Sequence, residues 1–405
     1  MSPRIRSPAT RRPSAGNTST TAGRKPFSPS NRQCQAVDVY QLTYPRILAF
    51  ATKGAGSNDE ARLRALLGEL QIDWFPFDRS SKFGSFRRLL RVLKIGRYDL
   101  AVMEGTGLAG GAALIWSSLL GRCRYVVSSG DAVAPWFAAI KPWLEPPFNW
   151  YEGVLCKRAA GFIGWTPYLV GRALTFGCPR AVTAAGWALH PKSSEEMAAS
   201  RARLRRHLGI TDETIVVGIV GSLAWNDRVG FCYGSELVRA IRKTSRPDIA
   251  VLVVGEGEGL DRLRELAGDD LARRIFLTGP VPPNEVINSM AAMDVASLPQ
   301  SVDGVGSFRY TTKISEYIAA RLPVITGQIP MAYDLDTGWL WRLPGRAPWK
   351  PQYLQALSRL MQEITWDQIR AKQAALPQRL ETFDKAPQVQ RVTSMILDIL
   401  AEKPR

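Results

Sequence analysis

The densest group of side chains able to do chemistry lies in the run LPQSVDGVGSFRYTTKISEYIAARLPVIT, from Leu298 to Thr326. A glycine-rich loop carrying Asp303 and Arg309 leads into Thr312 and Lys313 at the start of a predicted helix, with Glu316 one turn further on. A helix start presents unpaired backbone N–H groups and the positive end of the helix dipole, so this segment, with Lys313 and Arg309 beside it, suits a diphosphate. Glu316 stands where a carboxylate would accept hydrogen bonds from ribose hydroxyls; the plainer alternative is a solvated acid on a capped helix. A second loop runs from Gly221 and Ser222 to Arg228. Glycine there lets a phosphate approach the backbone and Arg228 offers it a bidentate contact, although an ordinary turn with a surface arginine has the same pattern. A third, Gly255-Glu256-Gly257-Glu258-Gly259, partly fits the G-x-G-x-x-G fingerprint of dinucleotide sites. The last glycine falls on Leu260 and the motif does not follow the first strand, which argues against NAD.

These loops must be held by strands and helices, and the apolar pattern supplies both. In the first half, Arg46 to Thr52 reads as a buried strand running into the turn Lys53 to Ser57, and then a helix from Asn58 to Leu70 with Ser57 or Asn58 as its cap. Strands near 72–75, 98–103 and 125–128 alternate with helices near 86–93 and 110–120. The pattern restarts with the strands 214–220, 249–254, 275–278, 295–298 and 323–326, separated by helices near 234–243, 260–267, 284–292 and 312–320. Helices near 353–363 and 388–400 close the chain. Strands alternating with helices in this way predict parallel, doubly wound α/β sheets. The expected organisation is a basic arm over 1–44, one Rossmann-like domain over 45–190, a second over 191–375, and a closing C-terminal helix over 376–405 that packs back on the first.

The chain has 405 residues, enough for two domains, and its 45% hydrophobic and 22% charged residues are those of a globular protein. Lys and Arg outnumber Asp and Glu by 53 to 36, a net charge of +17 that favours anionic partners without choosing among phosphorylated small molecules, anionic lipid or nucleic acid. The cysteines at 34, 123, 156, 178 and 232 are too scattered for a metal or redox pair, and point to a reducing compartment. With only His190 and His207 present, a multi-histidine metal site is excluded. The stretch Leu100 to Leu120 contains Glu104 and a glycine cluster, so it reads as strand, turn and buried helix rather than a membrane span. Residues 1–44 read as a disordered arm, a transit peptide or the product of an upstream start.

Taken together, the blocks VVGIVGSL (216–223), VLVVGEGEGLDRLRELA (251–267), IFLTGPVPPNEVINSMAAMDVASLPQS (275–301) and TKISEYIAARLPVIT (312–326) resemble the nucleotide-binding domain of the retaining glycosyltransferases of family four, which have the GT-B fold. The resemblance implies two Rossmann-like domains facing across a cleft and a nucleoside-diphosphate sugar as donor. It implies that the carboxylate at Glu316 binds the donor ribose and that Arg228 and Lys313 hold the diphosphate. Gly221, Ser222, Gly255, Gly257, Pro280, Arg309 and Thr312 would complete the donor site. It implies no metal and no permanently bound cofactor. The family usually has a second glutamate eight positions before the ribose acid, where this chain has Phe308; Asp303, in Asp303-Gly304-Val305-Gly306, is the substitute candidate. In the first half, family members carry a histidine in the loop that is Ser128-Ser129-Gly130-Asp131 here. Asp131 is therefore the second catalytic candidate, with a helix cap as its structural alternative.

Between 82 and 97, Lys82, Arg87, Arg88, Arg91, Lys94 and Arg97 interleave with Phe86, Leu89, Leu90 and Leu93, the pattern of a helix able to lie on anionic lipid or, more plainly, to pack on its own sheet with a solvated basic face. Trp136, Phe137, Trp143, Phe148, Trp150 and Tyr151 either extend that surface or fill the core. The resemblance implies a retaining glycosyltransferase, and this surface makes it one expected to be cytoplasmic and peripheral on the inner face of the cell membrane. It would act on a glycan, lipid-linked or envelope acceptor, with no nucleic-acid partner. A non-catalytic nucleotide-binding module of the same fold, or a nucleotide-sugar epimerase, is the alternative.

Overall fold

Parallel strands buried on both faces need near-continuous apolar sequence, and runs such as Ile47–Ala51 and Ile215–Val220 are buried at every position. The computed structural model describes residues 45–187, 192–378 and 381–402; the arm 1–44, Cys34 and His190 lie outside it, as do the side chains of Pro283 and Thr312. The first half contains β1 (Ile47–Ala51), α1 (Asn58–Leu66), β2 (Ile72–Trp74), α2 (Lys82–Ile95), β3 (Leu100–Glu104), α3 (Leu108–Leu119) and β4 (Arg124–Ser129). It continues with α4 (Val133–Ile140), α5 (Glu145–Arg158), β5 (Gly161–Gly164), α6 (Pro167–Thr175) and β6 (Ala181–Thr183). Then come α7 (Ser194–Leu208), β7 (Ile215–Val220), α8 (Ser235–Ile241), β8 (Ile249–Val254), α9 (Gly259–Ala267), β9 (Ile275–Gly279) and α10 (Val286–Met290). The chain ends with β10 (Val295–Leu298), α11 (Thr312–Ala319), β11 (Val324–Gly327), α12 (Met331–Asp334), β12 (Leu340–Leu343), α13 (Pro351–Glu363), α14 (Trp366–Ala374) and α15 (Lys385–Ala401).

Two six-stranded parallel sheets result, ordered β2-β1-β3-β4-β5-β6 and β12-β11-β10-β7-β8-β9. Each has one place where neighbouring strands lead their connections to opposite faces: between β1 and β3 in the first, between β7 and β10 in the second. Crevices for ligands open beyond the carboxyl ends of such strands. They put Thr52 and Glu104 at one crevice, and Gly221 and the loop after Leu298 at the other.

Local chemistry fixes the helix ends. Ser57 caps α1 by accepting from the Glu60 N–H, and Asp59 and Glu60 complement the dipole of its first turn. The periodicity misses α7, which lies in the junction between the halves and has few apolar residues. A capping box between Ser193 and Glu196 starts it, and Gly209, at φ +69°, ends it. Its Arg205 is almost fully buried and bonds Asp294 at 2.6 Å, fixing the helix on the second sheet. At the far end of the chain, Val392, Ile396 and Ile399 of α15 join Leu63, Leu66 and Val102 in one core cluster, so α15 packs on the first sheet. α3 buries Ala113 and Leu114 but exposes Leu108, Trp116 and Leu119, so it is half-buried rather than buried. Among the described residues no helix is long and apolar enough to cross a membrane.

A buried acid beneath the second crevice makes stability depend on pH. Glu236, at the start of α8, accepts from the Ser297 hydroxyl and the Gly234 N–H, both at 3.0 Å, yet burial pushes its carboxyl from 4.5 up to about 7. The folded state therefore favours the protonated form. Its contribution to stability is complete below pH 4.5 and is lost as pH rises through about 7, a change on the order of 3 kcal/mol. Urea unfolding at pH 5 and pH 8 is expected to show this fall in the wild type and a smaller one in Glu236→Gln; equal slopes would contradict it.

Candidate functional site

In the second crevice the site is built on the start of α11. Thr311 is its N-cap residue, but the side chain makes no capping bond, and no acid lies in the first turn. The Thr311 Oγ1 is buried without a hydrogen-bond partner, and so is the Glu316 Oε2 one turn on. Buried polar atoms are nearly always paired, so two orphans at one helix start offer unused hydrogen-bonding capacity that a ligand can take up. Lys313 crosses over the end of β7. A Cβ added to Gly221 would sit 2.9 Å from Lys313 Cε and 3.2 Å from Tyr233 Cδ2, so glycine leaves room for the lysine. Burial lowers the Lys313 pKa while the charge of Glu316 raises it, and among the described residues the ammonium forms no salt bridge. A cation half-stripped of water beside an uncapped helix start is a seat for an anion.

Gly255 and Gly257 serve this seat indirectly. Both have φ near +145°, and a Cβ on Gly255 would lie 1.8 Å from the Gly221 carbonyl oxygen, while one on Gly257 would lie 2.5 Å from the Leu223 carbonyl carbon. Their role in the structure is to let the loops after β7 and β8 touch, joined by Leu223 N–H to Glu256 O at 2.7 Å. Ser222 is exposed beside Gly221, and Pro280 is exposed after β9. Arg228 is turned away, donating to the Ala139 carbonyl at the end of α4.

The loop 301–309 spans from this seat to the first half. Asp303 Oδ1 accepts from the N–H groups of Val305 and Gly306, both at 2.9 Å, which curls the loop. Phe308, at the position of the missing glutamate, packs against the core of the first half, and its carbonyl accepts from Thr166 Oγ1 at 2.8 Å. Arg309 then reaches Asp131 at 2.6 Å. The two residues, 178 positions apart, meet in a cleft of about 330 Å³ that Thr52, Lys53, Glu104, Trp165, Tyr310 and Thr311 also line. Thr311 belongs to both places, so the cleft and the anion seat adjoin.

Beneath Asp131 lies a polar network that spacing does not reveal. Arg62 of α1 donates to Glu104 Oε2 at 2.8 Å and to Ser128 Oγ at 3.2 Å, and bonds the Ala184 carbonyl. Trp165 donates to Glu104 Oε1 at 3.2 Å and lies under the Arg62 guanidinium, 4.3 Å from it. A Cβ on Gly130 would meet the Trp165 ring at 2.6 Å, so the indole sits directly against the residue before Asp131. Burial pushes the Glu104 carboxyl up and the Arg62 guanidinium down, each opposed by the other's charge. The one signal for this network was an acid at the end of an apolar strand.

The structure thus gathers Gly221, Lys313 and Glu316, with Gly255 and Gly257 behind them, and separately pairs Asp131 with Arg309. Arg228 and Pro280 do not join either group. Of Thr312 only the backbone, which opens α11, can be placed. Among the described residues no group of three or more His, Cys, Asp or Glu side chains is arranged to hold a metal ion.

Residues 214–362 match the family model described as glycosyl transferases group 1. A stretch of 119 residues is 31% identical to a GDP-mannose-dependent monoacylated alpha-(1-6)-phosphatidylinositol monomannoside mannosyltransferase of Corynebacterium glutamicum, and it spans 29% of this chain and only 28% of that protein. The fold is similar to that of Anabaena Alr3699/HepE in complex with UDP and glucose, with TM-score 0.61 and 16% identity over 88% of this chain and 100% of that one. It is equally similar to sucrose-phosphate synthase from Thermosynechococcus elongatus, with TM-score 0.62 and 13% identity over 88% and 99% of the two chains. The two-sheet architecture is the GT-B fold.

Proposed function

We propose, from a GT-B fold whose second half matches the glycosyl transferases group 1, that this chain is a retaining glycosyltransferase. It moves a sugar from a nucleoside-diphosphate sugar to a glycan, lipid-linked or envelope acceptor. The observation that carries the reading is the orphaned Glu316 Oε2 beside Lys313, which forms no salt bridge among the described residues, at the start of α11, whose cap residue makes no side-chain bond. A ribose hydroxyl satisfies the first and a diphosphate the second. Residues 191–375 form the donor side, 45–190 the acceptor side, and the segment from 376 onward ties the chain end to the first.

The diphosphate lies over Gly221 and Ser222, against Lys313 and the backbone of Thr312. Gly255, Gly257 and Pro280 shape the wall of the base pocket. As the bond to the sugar breaks, negative charge grows on the diphosphate, and Lys313 with the α11 dipole stabilises it without reorganising. The acceptor attacks on the face the diphosphate leaves, which preserves the anomeric configuration and needs neither metal nor bound cofactor. Asp303 spends Oδ1 on its own loop, which leaves Oδ2 for the donor sugar. Asp131 faces the acceptor. Its pairing with Arg309 means that an incoming diphosphate competes with Asp131 for that guanidinium. Arg228 joins the diphosphate only by releasing the Ala139 carbonyl.

The partial likeness to a GDP-mannose-dependent enzyme and the fold likeness to a UDP complex make guanine and uracil the first bases to try. Incubation with UDP- and GDP-sugars should release nucleoside diphosphate slowly even without acceptor, and NMR of the transferred sugar should show the donor's anomeric configuration. A donor that binds without turnover would leave a non-catalytic nucleotide-binding module, and an inverted product would remove the retaining mechanism.

A further inference from the structure

A second cavity, of about 340 Å³, opens off the cleft on the acceptor side and shares Thr52, Lys53, Thr106 and Asp131 with it. Its inner wall is apolar, formed by Phe77, Leu108, Val133, Trp136 and Phe137. Its rim is cationic. Arg79 and Lys82 are exposed and, among the described residues, form no salt bridge, while Lys53 is paired with Asp59 at 3.1 Å. Among the described residues the one acid lining it, Asp131, is held by Arg309. α2, α3 and α4 all begin at this cavity, none with a side-chain cap or an acid in its first turn, although Glu152 takes the Ala134 N–H of α4 and Asp78 takes that of Ser80 just before α2.

Outside the cavity mouth the apolar surface continues. Leu108 and Trp136 are 49% and 44% exposed, and Phe83, Ile140, Trp143 and Trp150 are 66%, 40%, 67% and 72% exposed. The tryptophans at 136, 143 and 150 therefore do not fill the core; Phe137 and Phe148 do so in part, stacked at 3.4 Å, and Tyr151 fully. α2 carries Lys82, Arg87, Arg88, Arg91 and Lys94 and no acid. Exposed large aromatics beside a purely cationic helix complement the interface of an anionic bilayer.

Resting on the glycosyltransferase reading, we propose that this cavity seats the phosphate-bearing headgroup of a membrane lipid, the acceptor, with its chains leaving past Leu108 and Trp136 toward the bilayer. Arg79, Lys82 and the helix starts hold the phosphate. The apolar wall takes the first carbons of the glycerol and chains, and Asp131 and Thr106 stand where the headgroup hydroxyl meets the cleft. A water-soluble sugar acceptor would leave the apolar wall and the exposed tryptophans without a partner.

The test uses thermal shift of the full chain with dioctanoyl phosphatidate, dioctanoyl phosphatidylcholine and inorganic phosphate, each with and without nucleoside diphosphate. Dioctanoyl phosphatidate is expected to raise Tm, and neither the zwitterionic lipid nor phosphate alone to match it. Arg79→Ala and Lys82→Ala should each weaken the lipid response roughly tenfold in apparent Kd, and Trp136→Ala should weaken it while phosphate binding stays unchanged. The nucleotide response is the check on folding. An equal response to inorganic phosphate would make the ligand a free phosphate compound and overturn the lipid assignment. Unaltered lipid binding in the Arg79 and Lys82 variants would overturn the site. Wild type that answers to nucleotide but not to phosphatidate would sink this inference alone, and wild type that answers to neither would sink the glycosyltransferase reading with it.

Discussion

Replacing Lys313 with alanine is expected to lower sugar-transfer turnover by roughly 10²–10³-fold, the usual cost of deleting one preorganised group that stabilises developing charge. The ammonium lies against Gly221, where β7 ends, beside a helix start with no acid in its first turn. Burial already lowers its pKa against the raising effect of the Glu316 charge, and among the described residues it forms no salt bridge, so the free protein holds this cation at a cost. Removing it should therefore leave stability unchanged or raise it slightly while turnover collapses. Donor turnover and Tm measured on the same preparation separate the two effects. An alanine variant that turns over at the wild-type rate would mean the diphosphate is held elsewhere.

The largest expected effect on stability comes from the first half. Glu104→Ala strands the Arg62 guanidinium, whose side chain is 8% exposed against 1% for its partner, and breaking one side of such a buried pair costs about 3–5 kcal/mol. Trp165 loses its acceptor at the same time, and with it the support under Gly130 and Asp131. Removing both partners should hurt less than the sum of the single losses, because the double variant leaves no buried charge unpaired. Urea unfolding of Glu104→Ala, Arg62→Ala and the double variant tests this. Strictly additive losses would show that the pair is not coupled.

Five of the six strands of the second sheet were legible, the inner ones because they are buried on both faces and read as unbroken apolar runs; the edge strand β12, half exposed and short, was not. Ile249–Val254 and Val295–Leu298 fall where the sequence puts them. The region from Val133 to Leu208 was not. Prolines at 135, 142, 146 and 147 blur the period of α4 and α5, and α7 is too polar to show one. The anion seat was legible because its parts are close in sequence: Lys313 and Glu316 share one helix face, and that helix follows a glycine loop. Its other half was not, since no spacing links Asp131 to Arg309 or Arg62 to Glu104; only the packing of one half on the other, or of α1 on its sheet, brings them together. Gly255 and Gly257 show the converse. Their pattern looked like a phosphate loop, and the structure gives each a steric reason in the neighbouring turn.

The most direct test of the central claim is calorimetric titration of UDP and GDP into the wild type and Glu316→Ala. The ribose hydrogen bonds to a carboxylate are worth about 1.5–3 kcal/mol, so the variant should bind its preferred nucleotide roughly tenfold to a hundredfold more weakly. Equal affinity in both proteins, or no binding by the wild type, would contradict the assignment of the α11 crevice as a nucleotide-sugar site.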